Sequence, residues 1–255
     1  MDDPVHVRYR TEGRLAWLTL DRPEARNAWS DAMLAQFVAA LARAEQDDAV
    51  RVAIVHGAGT GFSAGGDVKA MRARSGMFAG DPAELRRRYQ QGIQSVPRAI
   101  AAFGKPLLAA VHGHAIGAGL DLACMCDLRL AAAGTKFGST FAAIGLVPGD
   151  GGAFYLARVV GFPRALELML TARLVEGDEA LRIGLVHEVV PASELLAAAA
   201  AKAEQIAALP PHAVALTKRA AYHAWRAEEA SALELAATFQ GIAQNHPDHL
   251  RALGP

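Results

Sequence analysis

A chain of 255 residues, 52% hydrophobic and 20% charged, can bury a large core, and its formal net charge of zero excludes the clustered basic surface of a nucleic-acid binder. Charged residues interrupt every apolar stretch that could span a membrane, and the opening "MDDPVHVRYR" is acidic without an apolar core, so no membrane span and no secretory leader are expected and the protein is assigned to the cytoplasm. Its two cysteines, Cys124 and Cys126, share the apolar segment "LACMCDL" and read as reduced core thiols, a pair too small for a metal site.

In chain order, "PVHVRYR" and "LAWLTL" predict a hairpin around the turn "TEGR". A helix is predicted from about Ser30, with Met33, Leu34, Phe37, Val38 and Leu41 on one face. "VRVAIVHG" reads as a buried strand that delivers the loop "GAGTGFSAGGD" and a helix start at "VKAMRAR". "DPAELRRRYQQGIQSV" predicts a helix with Asp81 as N-cap, Pro82 at the first helical position and Glu84 closing a capping box; Pro97 is expected to kink or break it. "PLLAAVHG" is a second buried strand, leading through "GHAIGAG" into the helix "LDLACMC", and "DLRLAAA" is a third. Beyond "GLVPGDGG" the chain reads as helical apart from a short strand in "LVHEVVP". Its alanine-rich end predicts three helices, broken at Pro210–Pro211 and around Glu228. The expected architecture is α/β: a core over 1–190 and a helical region over 191–255 within the same structural unit.

Two of these strands end in glycine-rich turns that open helices, "FSAGGD" and "AIGAGL". A helix start offers unpaired N–H groups and a positive dipole end, so two such starts facing one point would form an oxyanion hole. Neither turn is G-x-G-x-x-G, and neither carries the Lys–Ser/Thr ending of a phosphate-binding loop. Together with "RPEARNAW", "KFGSTFAAIGLVPGDGG" and "ALRIGLVHEVVP", taken in order and spacing, the chain over roughly residues 5–245 resembles the crotonase (enoyl-CoA hydratase/isomerase) family. The resemblance implies a spiral of β-β-α turns followed by a helical trimerisation region, assembly as a homotrimer or homohexamer, and acyl-CoA thioester substrates. It implies no metal and no redox cofactor, with CoA arriving as part of the substrate. It also implies that the N–H groups of Ala64 and Ala118 hold the thioester oxygen of an enolate. Arg26, Gly65, Gly66, Asp67, Gly117 and Phe141 then line the substrate site, and Arg22, Arg26 and Lys69 stand near the CoA phosphates, though each alone reads equally as surface charge.

Hydratases of that family use two glutamates. Asp121 stands at the position of one, and Phe141 at the position of the other, so a two-glutamate hydration cannot run unchanged on this chain. Asp150 matches the loop site where dienoyl-CoA isomerases of the family carry a proton-moving aspartate. From the residues alone Asp150 is equally placed to cap the helix that follows, and Asp121 to complement the positive start of its own helix. The pattern therefore points to an enoyl-CoA hydratase/isomerase-type enzyme with Asp121 and Asp150 as proton-transfer groups. A carbon–carbon bond-cleaving hydrolase or lyase on the same enolate chemistry, or a non-catalytic binding protein of this fold, remain the alternatives. His112 and His114 flank Gly113 beside the second turn, where a two-histidine metal site is not expected because two ligands are too few. Ser63 and Ser139 have no Ser–His–Asp order around them.

Overall fold

The computed structural model describes residues 4–254; Met1, Asp2, Asp3 and Pro255, and with them part of the stretch on which the expectation of no leader rests, lie outside the described residues. The chain opens with β1 (Val7–Glu12) and β2 (Leu15–Leu20), then α1 (Asp31–Gln46), β3 (Val52–Gly57), α2 (Val68–Ala73), α3 (Pro82–Gln91) and α4 (Ser95–Ala102). It continues through β4 (Leu107–Val111), β5 (His114–Ile116), α5 (Ala118–Met125), β6 (Leu128–Ala132), β7 (Lys136–Gly138), α6 (Gly152–Val160) and α7 (Phe162–Thr171). Then come β8 (Val175–Glu176), α8 (Gly177–Arg182), β9 (Glu188–Val190), α9 (Leu195–Ala207), α10 (Pro211–Ala224), α11 (Glu229–Gln244) and α12 (Pro247–Leu253).

Six strands form one sheet in the order β1-β2-β3-β4-β6-β9, antiparallel in the opening hairpin and parallel from β2 onward. Because successive side chains alternate faces, Leu18, Val55, Ala109 and Ala131 enter the main core, while Trp17, Ile54, Leu108 and Leu130 face the opposite way. The second face is covered by α9, whose Leu195, Ala199, Ala203 and Ala207 recur every four residues in one stripe. In packing, α9 therefore completes the sheet core, and the helices that stand beyond it begin with α10. A smaller sheet, β5-β7-β8, sits beside the glycine turns.

Three expectations change. The helix after Asp81 has the full capping box, yet it ends at Gly92, ahead of Pro97; Pro97 lies in the first turn of α4, where its missing N–H costs no helical bond. The C-terminal end holds four helices, because Pro247 starts a short α12 whose His246 side chain accepts from the Asp248 N–H. "GHAIGAG" contains the strand β5 rather than turn alone. No helix among the described residues is long and apolar enough to cross a membrane.

Candidate active site

The two glycine turns meet. Ser63 N–H donates to the His114 carbonyl at 3.1 Å, Ile116 N–H returns a bond to the Ser63 carbonyl at 3.0 Å, and Trp29 N–H donates to the Gly65 carbonyl at 2.8 Å. Gly65 has φ +85°, and a side chain on it would run into the Ile116 carbonyl and stop 3.0 Å from the Ala118 nitrogen. Only glycine lets the first turn lie on the start of α5.

The N–H groups of the first turn divide clearly. Ala64 N–H donates to the Arg26 carbonyl at 2.9 Å, which the left-handed backbone of Arg26 (φ 53°) turns toward it. The donor role expected of Ala64 is corrected on this ground: its hydrogen is already committed to the fold. Gly65 N–H is held by Ser63 Oγ at 3.1 Å. The next N–H, that of Gly66, makes no hydrogen bond among the described residues, and neither does that of Ala118, the first residue of α5. Gly66 and Ala118 thus each offer a free donor, one from each turn, and the second stands at the positive end of a helix.

Asp67 is the N-cap of α2, accepting from Lys69 N–H at 3.0 Å and Ala70 N–H at 3.1 Å, and it pairs with Arg22 Nη1 at 2.9 Å. Its work and that of Arg22 is to hold α2, while the side chains of Arg26 and Lys69 are exposed. Gly117 precedes α5 and donates to the Gly138 carbonyl at 2.8 Å; the Phe141 ring lies 3.6–3.9 Å from where its side chain would begin. Phe141 thus covers the start of α5 with hydrocarbon.

On α5, one turn past Ala118, Asp121 is completely buried, and Asp150 is 4% exposed. The two carboxyl groups, 29 positions apart by number (150 − 121), lie within hydrogen-bonding reach of each other. Gly151 (φ +122°) takes the N-cap position of α6 with no side-chain cap, so Asp150 is free of that duty. Gly152, at the start of α6, sets its backbone against the Asp121 carboxyl, and a side chain on it would occupy the space of that carboxyl. Apart from each other, the carboxyl oxygens are poorly partnered: both of Asp121 and one of Asp150 are buried without a conventional hydrogen bond. Burial first, then the Asp150 charge and the bond to Asp150, drive the Asp121 pKa well above the carboxylate range. Burial also raises Asp150, while the hydrogen bond from Asp121 pulls it back. Charge repulsion between two such groups disfavours double ionisation, so the two titrate as a pair rather than singly.

Gly152 escapes notice in the sequence, where the "GG" after Asp150 reads only as a flexible turn. Gly149 is similar: the Tyr89 ring packs on it and Gln94 Nε2 donates to its carbonyl at 2.7 Å. Among the other candidates, His112 Nε2 pairs with the Gly59 carbonyl at 3.1 Å and the His114 ring packs over Gly61. Cys124 is a buried free thiol, pushed up to about 12 by burial, and Cys126 is buried likewise.

The sequence model of the family described as enoyl-CoA hydratase/isomerase matches residues 10–252. The chain is 37% identical over 210 residues to a short-chain-enoyl-CoA hydratase of Clostridium acetobutylicum, covering 82% of this chain and 78% of that protein. It is 38% identical over 232 residues to a crotonyl-CoA hydratase of Syntrophomonas wolfei, covering 91% and 86%. The crystal structure of an enoyl-CoA hydratase from Bacillus anthracis matches at TM-score 0.91 and 29% identity, over 98% of this chain and 95% of that one. Fold and sequence agree over nearly the whole chain, and this protein belongs to the enoyl-CoA hydratase/isomerase family of crotonase-fold enzymes.

Proposed function

We propose that this enzyme acts on an enoyl-CoA thioester and moves its double bond, with Asp121 and Asp150 as a proton-transfer pair and the N–H groups of Gly66 and Ala118 as the oxyanion hole. The observation that carries the proposal is the pairing of two buried carboxyl groups, Asp121 and Asp150, within reach of each other. Asp150, as carboxylate, takes a proton from a carbon of the acyl chain, and the electron pair passes through the conjugated system to the thioester oxygen. That oxygen carries the charge against the two N–H donors, each worth about 3 kcal/mol when aimed at a developing oxyanion. Asp121 then gives its proton to the far carbon of the dienolate. The pair ends with one proton, as it began.

Hydration requires a water placed between a base and an acid. Here the two acids lie within reach of each other, and a phenyl ring, that of Phe141, covers the start of α5. The relatives that are hydratases by name favour hydration as the second reading. Incubating the enzyme with 2-enoyl- and 3-enoyl-CoA thioesters separates the two. Interconversion at constant mass supports isomerisation, whereas a product heavier by one water shows hydration. An enzyme that changes neither set overturns the enolate reading.

A further inference from the structure

The acid pair is approached from a third side. Tyr89, in the last turn of α3, lays its Cε1 3.2 Å and its Cδ1 3.5 Å from the point where a side chain on Gly149 would begin. Cε1 adjoins the carbon that bears the hydroxyl, so the phenol end of the ring borders the peptide that leads into Asp150. Just beyond α3, Gln94 holds the Gly149 carbonyl at 2.7 Å. The residue before Asp150 is therefore gripped twice, by a ring on its Cα and by an amide on its oxygen. The half-buried ring packs against the main core, which a phenylalanine would do equally well. The hydroxyl is a different matter. It makes no hydrogen bond among the described residues, whereas the comparable hydroxyl of Tyr222 is bonded to Asp127 at 2.8 Å.

We propose that Tyr89 is a positioning residue of the acid pair, fixing the Gly149–Asp150 peptide with its ring and favouring the ionised form of Asp150 with its hydroxyl dipole. The inference rests on the reading of Asp121 and Asp150 as the proton-transfer pair. Burial and then the Asp150 charge raise the Tyr89 pKa, which keeps the phenol protonated and able to turn its O–H toward the carboxylate. The titratable groups that face Asp150 are Asp121 from α5 and Tyr89 from α3. The contact from beyond α3 is the uncharged Gln94, and Tyr155 on α6 is linked instead to Arg226.

The test is the pH–rate profile for the CoA thioester that the unaltered enzyme converts. Tyr89→Phe keeps the ring on Gly149 and removes only the hydroxyl. Its acid limb should move up by about one pH unit, a tenfold change in proton affinity, with the rate recovering toward the parental value at higher pH and Tm unchanged. Gly149→Ala, at an ordinary backbone angle, presses on an intact Tyr89 and should displace the limb in the same direction. Profiles of both variants that superimpose on the parent's, or a loss equal at every pH, overturn the positioning role while leaving the acid pair intact. An unaltered enzyme that converts no thioester overturns the reading beneath it instead.

Discussion

Asp150 illustrates how one residue changes meaning when its neighbours are known. From the sequence it is as good a helix cap as an acid, because the loop "PGDGG" suits both. The structure places Gly151 at the cap and turns Asp150 onto Asp121. Asp150→Asn should therefore lower turnover by about 10²–10⁴-fold, the usual worth of general acid–base transfer. Its Tm should move little, since no cap is lost; a parental rate in the folded variant would remove Asp150 from the chemistry. Asp121 makes a prediction about stability. Its pKa is raised in the folded state, so its contribution is fully present below the ordinary carboxylate range of about 4. As pH rises the unfolded chain ionises first, and stability falls until the folded pair gives up its own proton. Asp121→Asn, whose amide can still donate to Asp150, should raise Tm at neutral pH by roughly 2–4 °C, equivalent to about 1 kcal/mol in a chain of this size. The gain should vanish near pH 4 while turnover is lost, which calorimetry across pH would detect.

At the scale of elements, the donors can be separated by proline. Ala118 is the first residue of α5, a position where proline fits the helix and removes only the free N–H. Ala118→Pro should leave the helical circular dichroism spectrum intact and reduce turnover by about 10²–10³-fold. Ala64→Pro removes the bond to Arg26 instead, so it should lower Tm as well; if Ala64→Pro retained parental stability, that bond would matter less than its geometry indicates. The long elements were legible because they repeat a pattern. The strands β2, β3, β4 and β6 appear as apolar runs, α1 as a stripe from Met33 to Leu41, and the cap of α3 as Asp81–Pro82–Glu84. β5, β7 and β8 hold two or three residues each, too few to show any period. A free N–H of the first turn stands two residues beyond the one expected, for a related reason. Which N–H stays free depends on the Arg26 carbonyl, almost forty positions away by number (64 − 26), and local sequence carries no trace of that bond.

Across the whole molecule, apolar side chains stay exposed on separate elements. Phe162, Leu166 and Leu170 lie on one side of α7, four residues apart, while Leu233, Ile242, Leu250 and Leu253 are spread over α11 and α12. Apolar surface on dissimilar elements suits a head-to-tail contact that closes into a ring. We expect trimers or pairs of trimers in solution, with Leu170→Glu shifting the population toward smaller species. A monomer by light scattering at working concentration would overturn this. The α/β class was visible in the chain, since each glycine turn follows a buried strand and opens a helix, whereas the meeting of the two turns was implied by the family resemblance. The assignment of α9 to the sheet core was not, because an alanine stripe reads alike against a sheet or another helix.

The seclusion of the acid pair has an isotopic consequence. Asp121 has no contact with solvent and Asp150 has almost none, so a hydrogen lifted from the substrate is passed between two sites that bulk water reaches slowly. In heavy water the first product takes its hydrogen from Asp121, already exchanged, while the protium lifted from the substrate stays on the pair and should reappear at the new position of later products. Mass spectrometry of the product after several turnovers should find a fraction that carries no deuterium. Complete labelling that persists over many turnovers would mean that solvent exchanges with the pair between turnovers.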